Sequence, residues 1–319
     1  MNRPIDAALS QDRPAKRAIR QLWLREVRRH PANGNPIYLT LPGTEGKDID
    51  LLINEGVIAT TETGAIAAED IGKVVAVESN SEAVLSLQRK YPGLRIHNNT
   101  LESLMNGGGP YAWPNKNISR DMRAKVVNID LDKSLRAECG EEVSFPLIKI
   151  IKKISQLHRE RPNAEPAEPW SLCVTVNSTI EWPEPAVRFF FRFLANNCSE
   201  HQTFKESAAA TLGDNLVNRI IAEYQSLTFN HIDPDDRAKL LCIFLPKLIM
   251  CEINDHHWEA IDCSTLSYGG NEGHAAMTTI TIAFRVSNAP IPSQRYASNI
   301  CNIFPGLGRV LDNGTIELG

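Results

Sequence analysis

The sequence lacks the long apolar run that a membrane-spanning helix requires. No hydrophobic stretch approaches the ~20 residues needed to cross a bilayer, although hydrophobic residues make up 42% of the 319 positions. The opening residues, MNRPIDAALS, also lack the apolar core of a signal peptide. With a net charge of −4 and 23% charged residues, we expect an ordinary globular protein that does not enter a membrane.

The sequence also lacks paired cysteines and the short motifs of several enzyme classes. Its seven cysteines are scattered and never spaced as CxxC, which argues against disulfides or a zinc ribbon and favours a reducing cytoplasm. There is no GxSxG turn of a serine hydrolase and no Walker A phosphate loop. His256 and His257 are adjacent, so their side chains would point to opposite faces of an extended segment, and we expect no metal site there.

What the sequence contains is an alternation of short apolar runs with helical patterns. The runs are PIYLTLP (36–42), KVVAVES (73–79), LRIHNN (94–99), VVNIDL (126–131) and WSLCVTVNST (170–179). Each is followed by a helical pattern or a crossover loop. Short strands that are almost continuously apolar are typical of a parallel sheet covered on both faces.

Two later runs indicate a hairpin. WEAIDCSTLSY (258–268) and MTTITIAFRV (277–286) are joined by only eight residues, GGNEGHAA, a connection short enough for an antiparallel pair at the sheet edge. A further hairpin is expected around residues 312–314, Asp-Asn-Gly. The sequence therefore predicts an α/β fold: a mostly parallel sheet with helices on both faces and an antiparallel edge hairpin.

The same patterns divide the chain. We expect a basic N-terminal helical arm at 1–35, an α/β domain at 36–286, a helical insertion at 184–255 within it, and a C-terminal tail at 287–319. The turn-rich run 106–117 is expected to be an irregular surface loop.

Polar residues and glycines collect where the first four strands end. They are Gly43 and Gly46 after the first strand, Glu78 at the end of the second, Asn99 after the third, and Asp130 and Asp132 at the fourth. Ligands of open parallel sheets bind outside the carboxyl ends of the strands, where strand order reverses. The sequence therefore predicts that these residues face one binding crevice, although Asp132 could instead begin the next helix.

These residues resemble the class I S-adenosylmethionine-dependent methyltransferases over roughly residues 36–286. Glu78 in VVAVESN matches the family's acid that binds the ribose hydroxyls, and two such donors suit one carboxylate. In LPGTEG, Gly43 and Gly46 would approach the amino-acid end of the cofactor. The resemblance further implies Asn99 at the adenine edge and Asp130 beside the incoming nitrogen. The fourth strand, with Asp130 and Asp132, is loosely similar to the tRNA guanine-26 dimethyltransferases.

The first predicted helix, residues 13–30, carries seven basic residues against one acid, Glu26. Apolar Leu22, Trp23 and Val27 would anchor it. The basic residues predicted to contact RNA or DNA phosphates are Arg17, Arg20, Arg28 and Arg29. The alternative is a solvated basic face.

Three functions therefore stand open. The leading hypothesis is a Rossmann-like methyltransferase that uses S-adenosylmethionine on a nucleic acid or nucleotide, where Tyr111 and Trp113 could stack a base or pack their own loop. The second is a binding or assembly protein that has lost catalysis, since the loop holds only G-x-x-G (43–46). The third is an NAD-dependent oxidoreductase, since an acid after the second strand also suits NAD.

Overall fold

One large sheet and the helices that cover it build the fold. The computed structural model describes residues 13–30, 36–106, 114–160, 166–179, 181–253, 258–269, 276–287 and 304–318. The strands are β1 (Tyr38–Thr40), β2 (Val74–Glu78), β3 (Arg95–Asn98), β4 (Val126–Ser134), β5 (Glu138–Cys139), β6 (Val143–Ser144), β7 (Trp170–Asn177), β8 (Trp258–Tyr268), β9 (Met277–Val286), β10 (Leu307–Val310) and β11 (Ile316–Leu318). The helices are α1 (Pro14–Arg29), α2 (Lys47–Asn54), α3 (Ser81–Lys90), α4 (Leu101–Asn106), α5 (Lys116–Asp121), α6 (Pro146–Arg159), α7 (Glu184–Glu200), α8 (Gln202–Leu212), α9 (Asp214–Glu223) and α10 (Pro234–Ile253).

Nine of these strands form one mixed sheet, in the order β11-β10-β8-β9-β7-β4-β1-β2-β3. Strands β3, β2, β1, β4 and β7 are parallel neighbours, and β9 pairs antiparallel with both β7 and β8. The predicted α/β fold is therefore confirmed, including the hairpin of β8 and β9 in the same sheet. Two short strands extend the sheet beyond it, because β10 pairs parallel with β8 and β11 antiparallel with β10.

Strand order reverses between β1 and β4. From β1 the chain moves outward through β2 to β3, then returns to place β4 on the other side of β1. Connections from β1 and β4 therefore leave in opposite directions, and the carboxyl ends of these two strands are the place where open parallel sheets bind their ligands.

Local sequence signals explain where several helices begin. The Asn80 side chain accepts hydrogen bonds from the amides of Glu82 and Ala83, which caps α3. Helix α6 begins with Pro146, whose fixed backbone angle suits the first turn of a helix. Its apolar residues at three- and four-residue spacing then turn one face toward the sheet.

Two hydrophobic cores lie on the two faces of the sheet. The larger core packs α6 and the four helices of residues 184–253 against one face, and includes Val127, Ile129 and Phe244. The smaller core packs α1 and α2 against the other face. Among the described residues, no helix has the length and apolar character needed to cross a membrane.

Helix α1 lies on the smaller core. Ile19, Trp23, Leu24 and Val27 are each at most 3% exposed, and they contact the same core as Val126 and Cys173 of the sheet. Burying four large apolar side chains stabilises this position by several kcal/mol, at about 1.5–3 kcal/mol for each. The predicted basic helix is thus present, packed along the sheet.

Some sequence expectations differ from the structure. We predict that the run 106–117 is irregular, and residues 107–113 of it lie outside the described part of the chain. The prediction is wrong at the end of the run, because α5 begins at Lys116, where the Asn115 side chain caps its first amides. Asp132 lies inside β4, which continues to Ser134 and is followed by the short β5–β6 pair. It therefore does not begin a helix. The side chain of Asp132 lies outside the described part of the chain, as do Tyr111, Trp113, His256 and His257.

Candidate ligand crevice

The crevice lies at the carboxyl ends of β2, β1 and β4, which are neighbours in the sheet. In the pairing register Thr40 of β1 faces Ala76 of β2 on one side and Asn128 of β4 on the other. Because side chains alternate along a strand, Glu78 and Asp130 share one face with Thr40 and Asn128. Strands two positions apart are separated by roughly 10 Å, so Glu78 and Asp130 could contact different parts of one ligand.

Glu78 is half-buried at the end of β2. Its Oε1 accepts a 2.8 Å hydrogen bond from the amide of Asn80, and no described residue donates to Oε2. The backbone of Asn99 is near, because its amide donates to the carbonyl of Glu78 at 3.0 Å. The exposed side chain of Asn99, however, accepts from the amide of Thr100, as in an ordinary turn.

The glycine loop after β1 places its two glycines in different environments. Both Gly43 and Gly46 have a φ of 59°, which favours glycine. A Cβ on Gly43 would have no atom within 4 Å, whereas one on Gly46 would lie 2.8 Å from a ring carbon of Tyr91. The space beside the Cα of Gly43 is therefore open, whereas a side chain at position 46 would collide with the ring of Tyr91.

Four polar side chains form a buried network beneath this loop. Tyr38 donates to Oδ2 of Asp48 at 3.3 Å, and Thr40 donates to the same oxygen. Nδ2 of Asn128 donates to the Tyr38 hydroxyl at 2.7 Å. Burial raises the pKa of Asp48, against the opposing effect of the Thr40 hydrogen bond. The network fixes α2 against the ends of β1 and β4.

Asp130 lies on β4 two residues beyond Asn128, where the neighbouring strand β1 has already ended. Its Oδ2 lies 2.7 Å from the ammonium of Lys16 on α1, and this ammonium is also 3.5 Å from the Tyr268 hydroxyl. The Asp130 side chain is 19% exposed, yet its Oδ1 is buried and accepts no hydrogen bond from the described residues.

The pKa values of the partners reflect this arrangement. Burial is the largest single effect and lowers the pKa of Lys16, but Asp130 and Tyr268 together outweigh it and the pKa is raised overall. Burial raises the pKa of Tyr268 to about 12. Lys16 is therefore an ammonium and Tyr268 a neutral hydroxyl at neutral pH.

Sequence reasoning missed Lys16, Asp48, Asn128 and Tyr268. A signal existed for Asn128, because it lies two residues before Asp130 and alternation places both on one face. No local signal identified Lys16 or Tyr268, because their contact spans 252 positions of sequence.

The four arginines predicted to bind phosphate are spread over α1. Arg28 pairs with Glu55 at 2.6 Å, and Arg29 pairs with Asp262 at 2.7 Å. Arg17 is exposed and Arg20 is half-buried. Arg28 and Arg29 are thus already held in ion pairs, at the end of α1 opposite Lys16.

A separate cavity of about 850 Å³ lies on the other side of the sheet from α1. Its lining includes Val143 of β6, Phe189 and Arg192 of α7, and Tyr224. Its lining does not include Asp130 or Glu78, so this cavity and the polar strand ends do not coincide. We base the site on the strand ends, because ligands of parallel sheets bind there.

The described residues contain no cluster of three or more histidine, cysteine, aspartate or glutamate side chains that could hold a metal ion. Comparison of the sequence and the structure with protein-family models, curated proteins and solved structures gives no match. The assignment of the crevice therefore depends on its own geometry.

Proposed function

We propose that the protein binds S-adenosylmethionine in the crevice and methylates a nitrogen of a nucleotide or nucleic acid. The observation that carries this proposal is the reversal of strand order between β1 and β4, with Glu78 and Asp130 on one face of the strands that flank it. The hairpin of β8 and β9 beside β7 agrees with the resemblance to class I methyltransferases.

Glu78 and the glycine loop fit the cofactor. Glu78 is half-buried and has one oxygen without a donor among the described residues, so it could accept hydrogen bonds from ribose hydroxyls. Gly43 has open space beside its Cα, which would let the amino-acid end of the cofactor approach the backbone. Asn99 would lie toward the adenine.

Asp130 would act on the nitrogen that receives the methyl group. When bound, S-adenosylmethionine supplies an activated methyl group, so the protein's task is chiefly to position the nucleophile. Asp130 would orient the incoming nitrogen through its unpaired Oδ1 and accept the proton that the nitrogen loses. Asp132, two residues further along β4, is the second candidate for this role.

The nucleic-acid part of the proposal depends on α1. Arg17 and Arg20 lie nearer the Lys16 end of the helix, whereas Arg28 and Arg29 must leave Glu55 and Asp262 before they can meet phosphates. A polymer that extended to Arg28 and Arg29 would have to break these ion pairs, which favours a nucleotide as the smaller acceptor.

A second candidate is a Rossmann-like binding protein without catalysis. Two contacts favour it. The ammonium of Lys16 already neutralises Asp130, and the ring of Tyr91 packs against Gly46, where the amino-acid end of a cofactor would otherwise approach. An NAD-dependent oxidoreductase is a third candidate on the grounds of Glu78 alone.

Titration calorimetry of the full chain with S-adenosylmethionine, S-adenosylhomocysteine and NAD distinguishes the three. We expect heat from the first two ligands and none from NAD. Binding of NAD alone would favour the oxidoreductase. If none of the three ligands gives a binding heat, the binding protein without catalysis is favoured.

A further inference from the structure

Asn128 presents a buried acceptor oxygen that the network around it cannot satisfy. The Tyr38 hydroxyl has one proton, and Asp48 is the acceptor that receives it. The Tyr38 oxygen can therefore only accept from Asn128, which turns Nδ2 toward Tyr38. Oδ1 of Asn128 is consequently directed elsewhere, and no described residue donates to it although Asn128 is 0% exposed.

Asp130 presents a second such oxygen. Lys16 binds Oδ2, and Oδ1 is buried without a donor among the described residues. Asn128 and Asp130 are two positions apart on β4, so they lie on the same face of the sheet. Buried acceptors without donors destabilise a folded protein, so two of them side by side indicate a place where a ligand supplies the donors.

The charges around the two oxygens select the kind of donor. Lys16 is an ammonium on Asp130, and Arg20 adds a second positive charge that acts on Lys16 and Asp48. A cationic group placed directly on these two oxygens would be repelled by both. A neutral amino group on an aromatic ring carries two N–H donors and no charge, which matches two acceptors beside an already neutralised carboxylate.

We propose that Asn128 and Asp130 bind the exocyclic amino group of an aminated nucleobase, one N–H to each oxygen. The ligand would enter past Asp130, which is partly exposed, with the flexible stem of Lys16 moving aside. This inference rests on the proposed function for the position of the ligand, and it adds that the nitrogen to be methylated belongs to an exocyclic amino group.

The test compares nucleosides that differ only in this group. Adenosine and cytidine carry the amino group, whereas inosine and uridine carry a carbonyl oxygen in its place. Binding to the full chain is measured by calorimetry or by NMR line shifts, with and without S-adenosylhomocysteine. We expect each amino nucleoside to bind at least about tenfold tighter than its oxo partner, because the oxo group would face two acceptors.

Asp130→Asn is the informative variant. Lys16 would hold the remaining oxygen, so the new amide N–H would face the ligand, and the preference should reverse toward the oxo nucleosides. Asp262→Asn is the matched control, since Asp262 pairs with Arg29 at the other end of α1, and it should keep the preference. Lys16→Met, which preserves apolar cover, should shift selectivity toward cationic amines such as 1-methyladenosine. Thermal unfolding verifies that each variant folds.

Equal affinity for amino and oxo nucleosides, no binding of any nucleoside at millimolar concentration, or an unchanged preference in Asp130→Asn would each overturn the inference. Selectivity for amino nucleosides without binding of S-adenosylhomocysteine would refute the methyltransferase proposal but support the amino-group site. Binding of S-adenosylhomocysteine without that selectivity would support the methyltransferase proposal but refute the amino-group site.

Discussion

Ser171 of β7 donates a 2.9 Å hydrogen bond to Oε2 of Glu26 on α1, across 145 positions of sequence. Glu26 is only 1% exposed, and Arg29 lies 3.3 Å from the same oxygen. Since a buried carboxylate must be paired, this contact determines where α1 lies on the sheet.

We expect Glu26→Ala to lower the free energy of unfolding by about 1–3 kcal/mol, because it leaves the Ser171 hydroxyl buried without its acceptor. Gln21→Ala on the exposed side of the same helix is the control and should change stability little. Urea unfolding measures both. Equal effects of the two substitutions would show that Glu26 does not fix α1.

His30 should make stability depend on pH. Its Nε2 lies 3.0 Å from the Ser171 hydroxyl, and burial, with the charges of Lys125 and Arg29, lowers the pKa of His30 to about 4. The unfolded chain, with an ordinary histidine pKa near 6.5, binds more protons between these values. Stability from this group is therefore present above about pH 6.5 and lost as the pH falls toward 4.

The measurement is the free energy of unfolding between pH 7 and pH 4.5 for the wild type and His30→Gln. Because His30 keeps contact with solvent, we expect the histidine to account for about 1–2 kcal/mol of the loss. The glutamine variant should lack that part of the slope. Parallel curves for the two proteins would contradict the assignment.

Gly43→Ala and Gly46→Ala form a matched pair. Both residues have a φ of 59°, so each alanine should cost about 1–2 kcal/mol of backbone strain. Only Gly46 would place a Cβ within 3 Å of Tyr91 and Leu87, which should add about 1–3 kcal/mol. Thermal and urea unfolding test the difference. A larger loss for Gly43→Ala would show that the loop packs differently.

Glu78→Ala should weaken binding of S-adenosylhomocysteine by about 2–3 kcal/mol, the range for losing charge-assisted hydrogen bonds. Glu82→Ala removes an exposed carboxylate from the first turn of the next helix and is the control for a general loss of negative charge. Calorimetry gives both affinities. An unchanged affinity in Glu78→Ala would remove this residue from the site.

The ion pairs of α1 supply a test of nucleic-acid binding. Glu55→Gln removes the carboxylate that pairs with Arg28, and Asp262→Asn leaves Arg29 paired with Glu26 alone. If α1 contacts phosphates, each change should tighten RNA or DNA binding, and Glu55→Gln should steepen its salt dependence by about one counterion. Replacing Arg17, Arg20, Arg28 and Arg29 together with glutamine should flatten the dependence. Affinities that none of these changes alters would exclude α1 as the contact.

The sequence was sufficient to predict those strands and turns whose signals lie in neighbouring residues. The apolar run of β4 and the eight-residue link between β8 and β9 predicted the parallel sheet and its hairpin, because alternation and turn length are written into neighbouring residues. Helix α5 was missed because it has six residues, too few to show a helical period against the turn signals before it.

The site was predictable only in part. Sequence reasoning placed Glu78 correctly at the end of β2, because the apolar run before it locates that end, whereas β4 continues past Asp130 to Ser134. Helical spacing predicted the buried side of α1, but it does not say which strands that side covers. The contact of Lys16 with Asp130 spans 114 positions and follows from three-dimensional packing alone.

The position of α1 also has a consequence for biosynthesis. This helix precedes β7, β8 and β9 in the chain, yet the core it packs against contains residues of all three strands. A 16-residue helix is marginal alone in water. The core around the apolar side of α1 is therefore incomplete until β7, β8, β9 and Val310 of β10 have been synthesised. Such long-range closure is slow and exposes the nascent chain to aggregation, so this protein should depend on chaperones during translation more than its size alone implies.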